Sequence, residues 1–326
     1  MITTTDIFTI SSQKQFEKIA LKVFRFQYEK NLVYKEFCDF LKTDVQKVKS
    51  LQQIPFLPIQ FFKSHDVVSN NDPIQTTFSS SGTTGMITSK HLVTDVSLYE
   101  ESYQKGFSEF YGNIENYVVL ALLPSYLERE GSSLIYMVED LIKLSNHPES
   151  GFYLHNHEDL IKKLLDLDAL GQNVILIGVT YALLDLIEKQ QFQLQNTIIM
   201  ETGGMKGKRK EMIREELHEQ LCTGFGVPAI HSEYGMTELL SQAYSLGNGI
   251  FECPSWMQIL IRDTEDALTY IPQGKTGGIN VIDLANINSC SFIATQDLGK
   301  KYPNNSFEVL GRFDNSDIRG CNLMVL

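Results

Sequence analysis

Short apolar runs alternate with stretches of helical periodicity through the middle of this chain, and that alternation limits the fold more than any other feature. Tyr117 to Leu123 reads as an apolar strand, Val174 to Val179 as a buried strand and Thr197 to Met200 as a further strand. Around and between them, apolar residues at helical spacing predict helices over Asp95 to Tyr111, Gly131 to Leu144, Glu158 to Leu170 and Tyr181 to Gln190. A further amphipathic helix is expected over Lys208 to Cys222. Strands separated by such helices fold as an α/β body with a largely parallel sheet. Beyond Gly247 the pattern changes, and Met257 to Ile261, Gly278 to Leu284 and Ser291 to Ala294 read as strands of a smaller β-rich lobe. At the other end, Phe16, Ile19, Ala20, Val23, Phe24 and Phe26 recur at helical spacing between Ser12 and Asn31, and a short helix follows at Tyr34 to Lys42. Ile54 to Ile59 contains Pro55 and Pro58, which preclude a helix and predict an extended segment crossing the core surface. The expected division is an α/β body over 1–246, a β-rich lobe over 247–311 and a tail over 312–326.

Charge narrows the partners. The chain has 28 Lys and Arg against 40 Asp and Glu, a formal net charge of −12. Phosphate backbones are bound by basic patches, so nucleic acid is not the expected partner. A nucleotide needs only a local cluster of cations and N–H donors. No apolar run approaches the ~20 residues of a membrane-spanning helix, and Met1 to Ser12 lacks the basic-then-apolar pattern of a signal peptide. The five cysteines, Cys38, Cys222, Cys253, Cys290 and Cys321, are scattered without CxxC spacing. Neither a disulfide framework nor a zinc site follows from them, and a reducing cytoplasm is the simplest setting.

Five short stretches carry chemistry. Ser79 to Gly85, within Thr77-Phe78-Ser79-Ser80-Ser81-Gly82-Thr83-Thr84-Gly85, is a run of seven small or hydroxylated residues. Read blandly it is a flexible Ser/Gly loop. Read chemically it is an anion cradle, because glycines let successive N–H groups converge and hydroxyls add donors. No Gly-Lys-Ser/Thr follows, so it is not a Walker loop. Gly203-Gly204 follows an apolar strand and precedes Lys206, Lys208, Arg209 and Lys210, the strongest basic cluster in the chain. Glycines at a strand's C-terminal end are where α/β proteins bind nucleotides. For Lys208 and Lys210 a solvated helix start is the better reading. Ser232-Glu233-Tyr234-Gly235-Met236-Thr237-Glu238 offers a flat ring for a nucleobase, then a hydroxyl and a carboxylate for phosphate and Mg²⁺. In isolation it also reads as a strand, turn and capped helix. Asp297, in Ala294-Thr295-Gln296-Asp297-Leu298-Gly299, and Arg312, in Gly311-Arg312-Phe313-Asp314, are residue types that grip ribose hydroxyls or phosphate. His155 and His157 lack a third metal ligand and read as surface or capping residues, whereas His231 stands beside the Tyr-Gly stretch.

The order of these five stretches resembles the adenylate-forming (ANL) superfamily from about residue 54 onward. Ile54-Pro55-Phe56-Leu57-Pro58-Ile59 with Phe61-Phe62-Lys63 is similar to the segment before the phosphate loop in phenylacetate–CoA ligases and LuxE-type acyl-protein synthetases. Ile318-Arg319-Gly320-Cys321-Asn322-Leu323 is similar to the end of the acyl-protein synthetases. The resemblance implies that ATP and Mg²⁺ activate a small carboxylic acid, fatty or aryl, as acyl-AMP. It implies a phosphate loop of Ser81, Gly82, Thr83, Thr84 and Gly85, and an adenine site of Gly203, Gly204, Tyr234 and Gly235. Thr237 and Glu238 would meet the α-phosphate and Mg²⁺, with Glu238 the metal ligand, and Asp297 and Arg312 would hold the ribose. Cys321 would take the acyl group as a thioester and pass it to a partner protein, such as a reductase or carrier.

Two departures matter. Only fourteen residues follow Arg312 in the 326-residue chain, so the mobile lid with its catalytic lysine, usual in this superfamily, is expected to be absent and 312–326 to be a hinge remnant and tail. Another cation must then meet the leaving pyrophosphate, and Lys206, with Arg209 second, is the expected replacement. Cys321 lies nine residues beyond Arg312, within ~30 Å of extended chain, and Arg319 beside it can favour its thiolate. The rival readings are a CoA ligase that never uses Cys321, and a retired enzyme serving as a nucleotide- or acyl-binding scaffold.

Overall fold

The computed structural model describes residues 2–80, 88–124, 131–154, 156–203, 208–209 and 212–313. Its elements in chain order begin with helices α1 (Thr4–Phe8), α2 (Gln13–Lys30) and α3 (Leu32–Phe40), strand β1 (Leu57–Pro58) and helix α4 (Phe61–Ser64). Next come β2 (Thr76–Ser79), β3 (Lys90–Val93), α5 (Val96–Tyr111), β4 (Val118–Leu122), α6 (Ser133–Leu144), β5 (Gly151–Phe152) and α7 (His157–Ala169). The chain continues through β6 (Val174–Val179), α8 (Thr180–Lys189), β7 (Thr197–Thr202), α9 (Arg214–Phe225), β8 (His231–Tyr234), β9 (Ala243–Ser245) and β10 (Ile250–Glu252). It ends with β11 (Met257–Arg262), β12 (Gly277–Asp283), β13 (Phe292–Lys301) and β14 (Phe307–Arg312). These elements form two compact units, one of residues 1–77, 87–98 and 252–326, the other of residues 78–86 and 99–251.

The unit containing residues 99–251 carries the expected parallel sheet. Its strands run β9-β8-β7-β6-β4-β5, parallel except for the β8–β9 pair. Every residue of β4 and β6 is buried, as strands covered on both faces require. Close packing of α8 fixes two glycines. A Cβ at Gly178 would lie 2.7 Å from Leu183, and one at Gly224 would lie 2.6 Å from Ile187. α9 runs through Gly224 to a left-handed Gly226 cap with φ 68°, past the expected end at Cys222. It also starts later than expected, at Arg214. Arg209 lies before the helix, its guanidinium held by Asp185 and, at 2.6 Å, by Glu188, both on α8.

In the other unit the late strands form an antiparallel sheet in the order β11-β12-β13-β14. β1 pairs in parallel with Ile293 and Ala294 of β13, so the Pro-containing segment crosses the core as expected. Phe24, Tyr34 and Phe56 close on Phe292 at centroid distances of 6.0–6.3 Å. The fully buried Gln27 of α2 donates to the carbonyls of Asn286 (3.1 Å) and Ile287 (2.9 Å) and accepts from the Ser291 amide. Asn31 caps α3 and donates to the Ser289 carbonyl at 2.9 Å. Two buried amides thus help satisfy the irregular backbone of 286–291, together with the Ser69 amide on the Asn288 carbonyl.

Candidate functional site

The C-terminal ends of β7 and β8 bring several of the expected residues together. Gly203 leaves β7 with φ 68°, a conformation that favours glycine. The Thr180 hydroxyl lies 3.0 Å from a Glu201 carboxylate oxygen and 3.1 Å from the Gly203 carbonyl, tying the glycine to the strand below it. Glu201 also accepts from Arg214 at 2.7 Å and Ser232 at 2.9 Å, with His218 at 3.5 Å. Burial would raise this carboxyl, but His218, Arg214 and Ser232 outweigh it and hold Glu201 below the usual range. The Arg214 guanidinium also covers the Phe251 ring at 5.2 Å, and Phe251 meets the Tyr234 ring edge-on at 5.9 Å. One cation therefore braces both the glycine strand and the tyrosine.

Alternation along the strands puts different chemistry on the opposite sheet face. Thr202 and Glu233 are register partners, as are Met200 and His231, and the Thr202 hydroxyl donates to Glu233 at 2.6 Å. Burial pushes the Glu233 carboxyl up to about 7, against the Thr202 hydrogen bond and with help from Glu201. Gly235 packs closely here: a Cβ there would lie 2.4 Å from the Glu233 carboxylate, which would have to swing aside. His231 approaches the Tyr111 hydroxyl at 3.2 Å, and burial lowers its pKa. No helix follows Tyr234. The chain instead turns, with the Leu239 amide on the Met236 carbonyl, and enters β9. Glu238 in this turn is buried. Gln242 packs against Gly235, and its buried side-chain oxygen has no hydrogen-bond donor.

In the other unit, Asp297 and Arg312 are register partners on β13 and β14, with Arg312 Nε 3.4 Å from Asp297. Asp297 is buried and Arg312 exposed. The buried Arg262 guanidinium fixes this edge, donating to the carbonyls of Ile279 (2.7 Å) and Thr295 (2.5 Å) and to Asn280 (2.7 Å).

Ser81, Gly82, Thr83, Thr84, Gly85, Gly204, Lys206 and Cys321 lie outside the described residues, as do Lys210 and His155. His157 opens α7, whose N-cap is Asn156. Among the described residues no group of three His, Cys, Asp or Glu is placed to hold a metal, and no helix is long and apolar enough to cross a membrane. Sequence reasoning missed Glu233 as a neutral-range carboxyl, and Arg214 and Arg262 as braces. Glu233 sits inside the recognised motif, but nothing local marks the burial that raises it.

Below the Thr202–Glu233 pair, on the same sheet face, lies an apolar cavity of about 10 Å³. Its walls include Met200 and Ile177 from the sheet, Tyr244, the register partner of Glu233, and Phe107, Met137 and Leu141 from α5 and α6.

Gly203 thus ends one parallel strand and a Tyr-Gly turn ends the next, on a sheet of the adenylate-forming ligase fold. The family described as Acyl-protein synthetase, LuxE matches residues 1–326, and the chain belongs to that family. It is similar to the long-chain-fatty-acid–luciferin-component ligase of Vibrio harveyi, 23% identical over 345 residues, covering 98% of this chain and 90% of that one. Solved structures share the fold. An open form of 2-hydroxyisobutyryl-CoA ligase has a TM-score of 0.67 at 12% identity, over 93% of this chain and 70% of that one. ATP-bound MatB from Rhodopseudomonas palustris has a TM-score of 0.54 at 17% identity, over 74% of this chain. The match spans about half of MatB, 49% of its length.

Proposed function

We propose that this acyl-protein synthetase activates a fatty acid with ATP and then acylates its own Cys321. The acid's carboxylate oxygen bonds to the α-phosphorus and the bond to the β-phosphate oxygen breaks, giving acyl-AMP and pyrophosphate. A Cys321 thiolate then attacks the acyl carbonyl and AMP leaves, after which the thioester passes to an acyl-accepting partner protein. The observation that carries the choice of a fatty acid is the similarity, over 98% of this chain, to a long-chain-fatty-acid ligase, and the side chains packed near the Thr202–Glu233 pair on that sheet face are apolar.

Residue chemistry supports the nucleotide. The unpaired Gln242 oxygen beside Gly235 suits an N–H donor such as the amine of adenine. Tyr234 and the Gly203-Gly204 pair are assigned to the adenine, Asp297 and Arg312 to the ribose, and the loop from Ser81 to Gly85 to the phosphates. Thr237 and Glu238 offer hard oxygens, the donor set Mg²⁺ prefers, and the ion's part is to offset phosphate charge. Arg209 is engaged by Asp185 and Glu188, so the cation facing the leaving pyrophosphate is assigned to Lys206. Among the described cysteines, burial pushes Cys38 and Cys253 up to about 12, and raises Cys222 and Cys290 too. None is a ready thiolate at neutral pH, which leaves the acyl acceptor to Cys321. Free thiols of this kind fit a reducing cytoplasm.

ATP–pyrophosphate exchange over a panel of fatty and aryl acids tests the reading. Exchange with fatty acids is expected, abolished by Lys206→Ala with the fold retained. Cys321→Ser is expected to keep exchange and lose the hydroxylamine-labile acyl group on the protein. Exchange with aryl acids alone, or an acyl group that survives in Cys321→Ser, overturns it.

A further inference from the structure

We propose that Glu233 receives the carboxyl end of the acid substrate, donating a hydrogen bond to one of its oxygens while the other attacks the α-phosphorus. The inference rests on the fatty-acid reading above. It adds a residue that recognises and orients the substrate's carboxyl group.

Geometry singles out this carboxyl. Glu233 stands near the C-terminal end of β8, beside the Tyr234–Gly235 turn, and is partly accessible. Thr202 anchors it by donating to Oε2 at 2.6 Å. The other oxygen, Oε1, lies close beside Gly235 and accepts no hydrogen bond from the described residues. The sheet face around it is built of apolar and aromatic side chains such as Met200, Phe107 and Tyr244. On the opposite face Glu201 is held in its ionised form, with Arg214 already engaged. An arriving carboxylate meets repulsion there, whereas at Glu233 it meets an anchored group with one oxygen to offer.

Two carboxyl groups can share a hydrogen bond only if one keeps its proton, because two carboxylates at that distance repel. Burial meets this condition by pushing the Glu233 carboxyl up to about 7. The groups around it leave the proton where it is. Glu201 of β7 is ionised and helps to raise Glu233. Tyr99 and Tyr111 of α5 and Tyr244 of β9 feel its charge, and burial drives all three up, so they stay neutral. His231, lowered from 6.5 by burial, is uncharged in the same range. An O–H donated to a carboxylate is a strong, charge-assisted bond. When acyl-AMP forms, the oxygen held by Glu233 becomes the acyl carbonyl oxygen. The same donor then faces the charge that develops there as a thiolate attacks. In neither step does Glu233 give up its proton.

The test follows ATP–pyrophosphate exchange with dodecanoic acid, at saturating ATP, in wild type, Glu233→Gln and Thr202→Val. The acid is ionised between about pH 6 and about pH 8.5, so it adds no titration of its own. Across that range kcat/KM for the acid is expected to fall about thirtyfold in wild type, as Glu233 loses its proton above about 7. Glu233→Gln keeps an N–H donor, though a weaker one. It is expected to be several-fold slower than wild type at about pH 6, level across the range, and faster than wild type at about pH 8.5. Thr202→Val removes the bond that favours the ionised carboxyl, so its decline should move to higher pH. If exchange proceeds and the three profiles have one shape, the Glu233 assignment is overturned while the proposed function stands. Should Glu233→Gln not fold, Thr202→Val decides, and an unmoved decline overturns the assignment. If no acid supports exchange, the activity fails, and calorimetric binding of dodecanoic acid decides Glu233. Binding that weakens with pH in wild type but not in Glu233→Gln upholds the assignment, whereas binding alike in both, or none, overturns it.

Discussion

Replacing Glu233 by Gln tests whether the carboxyl beneath the Tyr-Gly turn keeps a proton near neutrality. Its pKa is pushed up from 4.5 to about 7, by burial first, opposed by the Thr202 hydrogen bond and assisted by Glu201. The unfolded chain releases this proton near 4.5, whereas the folded chain holds it to about 7. Between those values the folded state binds more protons, so stability falls as pH rises through the window and is level above it. An interval of 7 − 4.5 at ~1.4 kcal/mol per pH unit is about 3.5 kcal/mol. Glu233 is partly exposed, and screening by solvent brings the expectation to about 2 kcal/mol. Glutamine keeps the shape and an oxygen that accepts from Thr202, and removes the titration. Urea unfolding of both proteins at about pH 5 and about pH 8 measures the difference. Relative to wild type, Glu233→Gln should gain about 2 kcal/mol between the two conditions. An equal stability difference at both would refute the argument, because the carboxyl would then titrate alike folded and unfolded.

Gly224→Ala should destabilise the protein, since its Cβ would sit 2.6 Å from the branched Cβ of Ile187. Overpacking of ~1–3 kcal/mol outweighs the ~1 kcal/mol of helix propensity gained, and thermal unfolding reads the net loss. Arg214→Met leaves the 8%-exposed Glu201 without its nearest cation. The expected cost at neutral pH is ~3 kcal/mol, at the low end for a buried pair because Arg214 is 29% exposed. Glu201 now contributes stability that is present above about 4.5 and lost as pH falls through its lowered folded pKa. In the variant, acid unfolding should therefore begin at higher pH, and an unchanged acid midpoint would count against the network.

The elements that were readable are those whose signal is local. The all-apolar runs at 118–122 and 174–179 are strands because only a doubly covered strand tolerates that pattern over so few residues. Failures came where a distant partner decided. The helix expected to end at Cys222 runs on through Gly224, whose missing side chain makes room for Ile187, thirty-seven residues earlier. β13 runs to Lys301, beyond the expected Ala294, through the polar residues Thr295, Gln296 and Asp297. Pairing with β12 on one side and β14 on the other holds that stretch, and Arg262 donates to its Thr295 carbonyl. Such support leaves no mark in the local pattern. The same holds for Gln27 and Asn31, whose partners lie about 260 residues away.

The motif around Tyr234 mixes an aromatic ring, two acids and a glycine, and the strand geometry accounts for the mixture. Ser232 and Tyr234 face Glu201 of β7 and Arg214 of α9, and His231 and Glu233 face α5, above the apolar cavity. In the proposed reaction, adenylation requires a nucleotide and an acyl chain to meet at one carboxylate. A strand end can serve both because its side chains alternate by face while its backbone stays fixed. Gly235 then lets the chain turn over Glu233 without a Cβ in the way. The arrangement also makes register unforgiving. A one-residue slip of β8 would carry Tyr234 to the acyl side and Glu233 to the nucleotide side. Thr202, bonded to Glu233, and Glu201, bonded to Ser232, oppose that slip from both faces of β7 at once.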